Sequence, residues 1–157
     1  MKRKIIKNDN NNKSIIKENK KGGILAIFGS RSLYNMKVKN ILRKEIERFS
    51  PDVLLIPGEI NGVCKLGREL GRELGRELGV TSKLFFPDKK KAGGQYHHRS
   101  LSILHEADFV LLIYDGKSKG TKHEYELVKQ LKKKSKIIEC KDFEFDNIFN
   151  EIPVDLL

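Results

Sequence analysis

Short apolar runs alternate with helically spaced apolar residues over most of the chain. The runs predict five β-strands, at residues 24–28, 53–56, 80–86, 108–114 and 136–140. Apolar residues at three- and four-residue spacing predict helices near residues 35–49, 61–78, 95–106 and 121–133, and then a terminal helix that contains Phe143, Phe145, Ile148 and Phe149. Strands that alternate with helices are typical of βαβ units. We therefore predict an α/β fold, a three-layer Rossmann-like domain with a mainly parallel five-stranded sheet.

The chain length and the apolar runs indicate one domain without a membrane span. The 157 residues suit a single core, and 38% of them are hydrophobic. The longest apolar run, residues 109–114, is much shorter than the ~20 residues that cross a bilayer. Residues 1–23 contain no apolar stretch of the kind that a secretory signal needs. We expect a cytoplasmic protein with no membrane partner.

Much of the positive charge lies in the N-terminal segment. The chain has a formal net charge of +11, and residues 1–23 contribute +6, from eight Lys or Arg and two Asp or Glu. This segment also contains the polar run at residues 8–12 and ends in two glycines. We predict a disordered basic leader over residues 1–23 and a folded domain over residues 24–157. The leader is either a solubilising segment or an arm that contacts nucleic-acid phosphates, and the sequence leaves both open.

The second predicted helix contains an internal repeat. The sequence Leu-Gly-Arg-Glu starts at Leu66, Leu70 and Leu74, and Leu78-Gly79 follows it. Four residues exceed one helical turn by about 40°, so the leucines form a slowly drifting stripe with the glycines beside it. The glycines either allow close approach of the sheet or of a second subunit, or they belong to a tolerated repeat expansion. The sequence does not decide between these alternatives.

Glycine-rich turns follow several of the predicted strands. In an open parallel sheet, ligands bind beyond the carboxyl ends of the strands. Two turns, at residues 57–62 and 115–121, join glycines to the start of a helix, where free N–H groups and the helix dipole favour phosphate. Gly29-Ser30-Arg31 follows the first strand, and Arg99 lies near the start of the third helix. These turns predict a phosphate-bearing ligand at this edge of the sheet.

The same turns resemble those of the SLOG superfamily, and in particular its YspA/YpsA-related branch. The matching segments lie within residues 24–140 and are Phe28–Arg31, Pro57–Val63, His98-Arg99, Glu106–Val110 and Asp115–Thr121. The resemblance implies binding of a nucleotide or nucleotide-derived molecule, such as an ADP-ribose-like ligand or a nucleoside monophosphate, often by a homodimer. We expect no cofactor. The ligand-binding residues that the resemblance implies are Gly29, Ser30, Arg31, Gly58, Glu59, Gly62, Arg99, Gly116, Ser118, Gly120 and Thr121.

Two positions depart from that branch. Glu59 replaces a glycine that is usual there, and Cys64 replaces a usual aspartate. A carboxylate at residue 59 would repel an anionic ligand, turn outward, or accept a hydrogen bond from a ribose hydroxyl, as carboxylates do in dinucleotide sites. The sequence leaves these three alternatives open.

Residues 120–124 also resemble the Gly-Thr-x-x-Glu part of the motif of LOG enzymes. Those enzymes cleave the N-glycosidic bond of nucleoside 5′-monophosphates, and the resemblance implies Glu124 and Arg99 as a catalytic pair. A carboxylate could stabilise an oxocarbenium-like transition state or activate water, while a guanidinium holds phosphate. The preceding segment, residues 115–119, is longer and more charged than the Pro-Gly-Gly of LOG enzymes. The sequence therefore leaves open whether the chain is an enzyme.

The histidines and cysteines do not form a metal-binding pattern. His97 and His98 are adjacent, so on a helix their side chains point about 100° apart. We predict no metal site and interpret Cys64 as a buried structural thiol. DprA proteins of the same superfamily bind single-stranded DNA, so nucleic-acid binding through the leader and the lysine runs at residues 89–91 and 132–134 is a further alternative.

Overall fold

Five strands and four helices alternate along residues 22–90 and 94–140, which are the residues that the computed structural model describes. The strands are β1 (Ile24–Gly29), β2 (Val53–Pro57), β3 (Thr81–Phe85), β4 (Phe109–Tyr114) and β5 (Ser135–Glu139). The helices are α1 (Met36–Phe49), α2 (Gly62–Leu78), α3 (Gln95–Glu106) and α4 (Lys119–Gln130). The predicted terminal helix and residues 1–21 of the predicted leader lie outside the described residues.

All five strands are parallel, in the order β3-β2-β1-β4-β5. This arrangement confirms the predicted α/β fold with a five-stranded parallel sheet. The chain first builds the sheet outward from β1 to β3 and then returns to add β4 on the other side of β1. The helices that follow β1 and β4 therefore lie on opposite faces of the sheet. The chain separates at these two strand ends and leaves a crevice, which is where folds of this kind bind ligands.

Alternate residues of the central strands face two separate hydrophobic layers. Leu25 and Ile27 of β1 pack with α1 and α2, whereas Ala26 and Phe28 pack with α3 and α4. The period of two that a strand imposes on its side chains explains this division. Both faces of β1 and β4 are covered, which is why these strands are nearly continuously apolar in sequence.

Helix α4 begins two residues before its predicted start and ends three residues before its predicted end. The Ser118 side chain accepts a hydrogen bond from the backbone N–H of Thr121, so Ser118 is the N-cap. Serine at this position satisfies one of the free N–H groups of the first turn. Gly120 and Thr121 consequently lie inside the first turn of α4 instead of preceding it.

The glycines of the repeat in α2 lie against the sheet. A Cβ atom added to Gly71 would overlap the Ser82 hydroxyl, and one added to Gly75 would lie 3.1 Å from the Val80 carbonyl oxygen. A Cβ at Gly67 would make ordinary contacts, at 3.6 Å or more, with Ile56 and Ile27. Gly71 and Gly75 therefore allow a close approach between α2 and the β3 region, which is one of the two interpretations that the sequence left open.

None of the four helices is both long enough and apolar enough to cross a bilayer, and this holds for the described residues.

Candidate functional site

A cavity of about 420 Å³ opens at the carboxyl ends of β1, β2 and β4. It lies at the crevice where the order of the strands reverses. Its walls come from the turns after these strands and from the first turns of α2, α3 and α4. The lining residues are Gly29, Arg31, Ser32, Glu59, Cys64, Tyr96, His97, Arg99, Ser100, Asp115, Ser118, Gly120, His123 and Glu124.

Seven of the twelve predicted site residues line this cavity, and five do not. Those at the cavity are Gly29, Arg31, Glu59, Arg99, Ser118, Gly120 and Glu124. The other five are Ser30, Gly58, Gly62, Gly116 and Thr121. The residues at the cavity come from four segments that are distant in the chain, and parallel pairing of the strands brings them together. Their roles in ligand binding stay predictions.

Three of the five remaining residues support the walls of the cavity by close packing. The hydroxyls of Ser30 and Thr121 lie 3.2 Å apart and are buried. Gly62 has a φ of 61°, and a Cβ there would overlap the backbone of Ser30 and Arg31. Gly58 and Gly116 make no lining contact: Gly58 lies beneath the ring of Phe86, and Gly116, with a φ of 86°, is exposed.

The carboxylate of Glu59 joins two guanidinium groups at the cavity. Its Oε2 lies 2.8 Å from Nη1 of Arg99, and its Oε1 lies 3.2 Å from Nη2 of Arg31. Arg99 is nearly buried, with a side chain 5% exposed, whereas that of Arg31 is 65% exposed. Glu59 therefore faces inward and its negative charge is compensated, which disagrees with the alternative that it turns outward.

Arg99 holds an unused hydrogen-bond donor next to the cavity. Its Nε is buried and has no acceptor among the described residues. The guanidinium also lies over the ring of Tyr96, with 5.2 Å between Cζ and the ring centroid. A buried donor without a partner costs about 1–3 kcal/mol.

Glu124 is a carboxyl group whose surroundings favour its protonated form. Burial raises the pKa of Glu124 to about 8, and the negative charge of Glu59 acts in the same direction. Arg99, Arg31 and a 3.5 Å hydrogen bond from the Ser100 hydroxyl oppose this effect without cancelling it. At neutral pH this pKa favours the protonated form of Glu124, whereas the resemblance to LOG enzymes implied a carboxylate.

The turn between β4 and α4 is held by Asp115. Its Oδ1 accepts hydrogen bonds from the backbone N–H groups of Lys117 and Ser118, at 2.8 and 2.7 Å, and its Oδ2 accepts one from the Ser32 hydroxyl. Burial opposes ionisation of Asp115, but these hydrogen bonds outweigh it and hold the pKa of the carboxyl below its ordinary value. An ionised Asp115 is therefore part of the fold of this turn.

The N-terminus of α4 keeps free N–H groups at the cavity. The first N–H groups of a helix have no acceptor within the helix. Ser118 satisfies that of Thr121, whereas those of Lys119 and Gly120 have no acceptor among the described residues. Gly120 lines the cavity. The free amides of this turn are therefore the two at the start of the helix, because Asp115 already binds those of Lys117 and Ser118.

Two histidines meet beside the cavity, and a thiol lies in its wall. Nδ1 of His97 lies 3.0 Å from Nε2 of His123, so one ring donates a hydrogen bond to the other. Cys64 is 4% exposed, and burial, together with Glu124 and Glu59, raises the pKa of its thiol to about 12. A thiol in this state is unreactive at neutral pH. Within residues 22–90 and 94–140, no three His, Cys, Asp or Glu side chains converge on a common point that could hold a metal.

Several residues at the cavity were absent from the predicted site: Ser32, Cys64, Tyr96, His97, Ser100, Asp115 and His123. Asp115 directly follows the most apolar strand. Because ligands bind beyond the carboxyl ends of parallel strands, this position indicates a site residue from sequence alone. Tyr96 and Ser100 reach the cavity because the first turns of α3 point to it. The local sequence does not indicate the direction of this helix axis.

In comparisons with known proteins, neither a family model nor a curated protein sequence matches this chain. The class that the fold defines is a Rossmann-like α/β protein with a cavity at the reversal of strand order. The resemblance to the SLOG superfamily stays a prediction.

Proposed function

We propose that this protein binds a nucleotide or a nucleotide-derived small molecule in the cavity at the carboxyl ends of its parallel strands. The observation that carries the proposal is the convergence there of the nearly buried Arg99 guanidinium and the free N–H groups at the start of α4. Both favour an anionic group. The volume of about 420 Å³ falls within the range of small-molecule sites.

The surroundings of Glu59 support a division of the ligand between phosphate and sugar. Because two arginines hold the Glu59 carboxylate in place, it offers its remaining lone pairs to hydroxyl groups. The phosphate then lies at the start of α4, beside the free N–H group of Gly120, and the ribose lies toward Glu59. Tyr96, which lines the same cavity and packs on Arg99, offers an aromatic face to the base.

A second candidate function, hydrolysis of the N-glycosidic bond of a nucleoside 5′-monophosphate, is favoured by the protonated state of Glu124. Departure of the base needs a proton, and a carboxyl with a pKa near neutrality is suited to supply it. Glu124 would donate its proton to the leaving nitrogen as the bond between C1′ and that nitrogen breaks. Water would then form the new bond to C1′ and return a proton to Glu124. The products are the free base and ribose 5-phosphate.

Isothermal titration calorimetry with nucleoside 5′-monophosphates and ADP-ribose tests the binding proposal. We expect Arg99→Lys to weaken binding at least tenfold, because lysine cannot reproduce the planar donor fork. Arg48→Lys is the matched control, since Arg48 is exposed and pairs with Glu45 on α1, away from the cavity. The proposal fails if the unaltered protein binds none of these ligands, or if the two variants bind equally.

Chromatography of the reaction mixture tests the enzymatic alternative by detecting free base. We expect Glu124→Gln to abolish base release while nucleotide binding is retained, because glutamine cannot donate a carboxyl proton. Glu126→Gln is the control on the same helix. Among the described residues, Glu126 forms one salt bridge, with the exposed Lys129. Absence of base release from the unaltered protein, or equal release by the two variants, would exclude this activity.

A further inference from the structure

Three arginines line a groove between α2 and the edge strand β3. Arg68, Arg72 and Arg76 follow one another at four-residue intervals, and together with Gly71, Ser82 and Leu84 they border a recess of about 460 Å³. We call this recess the α2 arginine groove. Its lining contains no acidic residue among the residues that the structure describes.

The glutamates of the same repeat are engaged on the other side of the helix. Glu73 pairs with Lys39 and Arg43 of α1, at 2.9 and 3.2 Å. Glu69 accepts a hydrogen bond from Tyr34, and Glu77 pairs with Arg43. Each acid of the repeat is thus directed to α1 or to the turn before it, and none of them neutralises the groove through a salt bridge.

Two of the arginines in the groove keep their hydrogen-bonding capacity free. Arg72 and Arg76 are exposed and form neither a salt bridge nor a hydrogen bond with another described residue. Arg68 is half-buried and donates to the backbone carbonyl of Glu59, 3.3 Å away. Arg68 therefore anchors the groove, whereas Arg72 and Arg76 present free guanidinium forks to a partner.

The spacing of these charges is regular. Four helical residues advance about 6 Å, so the three positions span about 12 Å along the axis of α2. A nucleic-acid strand is the common biological polymer whose negative charges, the phosphates, recur at a fixed interval. An acidic protein segment lacks such a fixed repeat. We propose that the α2 arginine groove binds the phosphate backbone of a single nucleic-acid strand.

The shape of the groove favours a single strand over a duplex. It is a recess between a helix and the edge of a sheet, and the close approach at Gly71 and Gly75 keeps the helix near β3. Phe86 does not line the groove, but it lies directly after β3, is 63% exposed, and offers a ring on which an unpaired base beyond the arginines can stack. Bases inside a duplex are not accessible for such stacking. This surface is distinct from the cavity at the strand ends, and the inference does not depend on the proposed nucleotide ligand.

Fluorescence anisotropy with a labelled oligothymidylate, measured over a series of salt concentrations, tests the proposal on the full chain. Each phosphate contact to a single strand contributes about 0.7 to the slope of log K against log salt. We expect Arg72→Gln/Arg76→Gln to lower the magnitude of that slope by about 1.4 and to weaken binding at low salt. The control is Lys37→Gln/Lys44→Gln, which removes the same charge from exposed positions of α1 and should leave the slope unchanged.

Several outcomes would overturn the proposal. They are the absence of binding by the unaltered protein, equal slopes for the two double variants, and displacement of the labelled strand by a duplex more effectively than by an unlabelled single strand. Circular dichroism verifies that both variants are folded. Arg72→Lys/Arg76→Lys keeps the charge, so this variant should retain the slope; a loss equal to that of the glutamine variant would contradict a phosphate contact.

Discussion

Glu59 and Arg99 form a 2.8 Å ion pair although 40 residues separate them in the chain. The pair joins the turn after β2 to the first turns of α3. Arg31, from the turn after β1, binds the other oxygen of the same carboxylate. The Glu59 side chain therefore fixes the relative positions of three segments that border the cavity. It also provides the opposite charge for the nearly buried guanidinium of Arg99.

We expect Glu59→Gln to destabilise the protein. The amide oxygen can still accept a hydrogen bond from Arg99, but the charge of a guanidinium that is only 5% exposed would lose its partner. We predict a decrease of about 1–3 kcal/mol in the free energy of unfolding, measured by urea denaturation.

The control for this experiment is Glu47→Gln. Glu47 pairs with Arg43 at 3.1 Å, but its side chain is 45% exposed. Exposed pairs of this kind contribute about 0.2–1 kcal/mol. Equal losses in the two variants would mean that burial of the Glu59–Arg99 pair has no energetic consequence.

The sequence predicts the strands of the sheet more completely than the cavity. Local patterns determine the strands, whereas contacts between residues distant in the chain determine the cavity. The run Phe109–Tyr114 is apolar throughout its middle, and the structure confirms β4 at these residues. Strand β3, which begins with Thr81, Ser82 and Lys83, is also present despite its weak pattern. For β4, burial on both faces imposes the apolar run directly, whereas β3 is an edge strand whose first three residues are exposed, which accounts for its weaker pattern.

The contacts of the site depend on tertiary packing, and local patterns do not contain that information. The sequence indicated that Glu59 and Arg99 lie at the same edge of the sheet, yet it left three alternatives for the carboxylate. Only the arrangement of α3 against the β2 turn shows that Glu59 faces inward. The same limit applies to Thr121, whose hydroxyl faces Ser30 in the protein interior instead of the cavity.

A pH dependence of stability should arise from Glu124. The folded-state pKa is raised from 4.5 to about 8. Between these values the unfolded chain has released the proton while the folded protein still holds it, so stability decreases as pH rises through this window. Below pH 4.5 both states are protonated, and this contribution is fully present.

The measurement is urea denaturation of the unaltered protein and of Glu124→Gln at several pH values across that window. Glutamine does not titrate, so the variant should lose less stability than the unaltered protein as pH increases. Glu126→Gln should behave as the unaltered protein does. Parallel stability profiles for the unaltered protein and Glu124→Gln would show that Glu124 titrates normally.

The hydroxyls of Ser30 and Thr121 should be energetically coupled. They lie 3.2 Å apart in the interior, and Ser30 Oγ also accepts the backbone N–H of Asp115 at 3.0 Å. We expect Ser30→Ala to cost about 1–3 kcal/mol, because it leaves the buried N–H of Asp115 without an acceptor.

A double-mutant cycle with Thr121→Val separates the two contacts of Ser30. Valine preserves the shape of threonine but removes its hydroxyl, so the coupling between the two sites should be about 0.5–1.5 kcal/mol. Purely additive losses would indicate that the Asp115 contact alone accounts for the effect of Ser30→Ala.

Two glycines of α2 should respond to alanine in opposite directions. At Gly67, a Cβ would lie at least 3.6 Å from Ile56 and Ile27, within ordinary contact distance. Alanine also restricts the unfolded chain, so Gly67→Ala should raise the free energy of unfolding by about 0.5–1 kcal/mol. At Gly62, φ is 61° and the added Cβ would overlap backbone atoms of Ser30 and Arg31. Gly62→Ala should therefore lower stability by more than about 2 kcal/mol, because neither a strained backbone nor a clash with main-chain atoms can be relieved by a change of side-chain rotamer.

Thermal and urea denaturation of the two variants measure the difference. A destabilised Gly67→Ala would mean that α2 packs more closely on β1 and β2 than these distances allow, and an unchanged Gly62→Ala would mean that the turn after β2 is not fixed against β1.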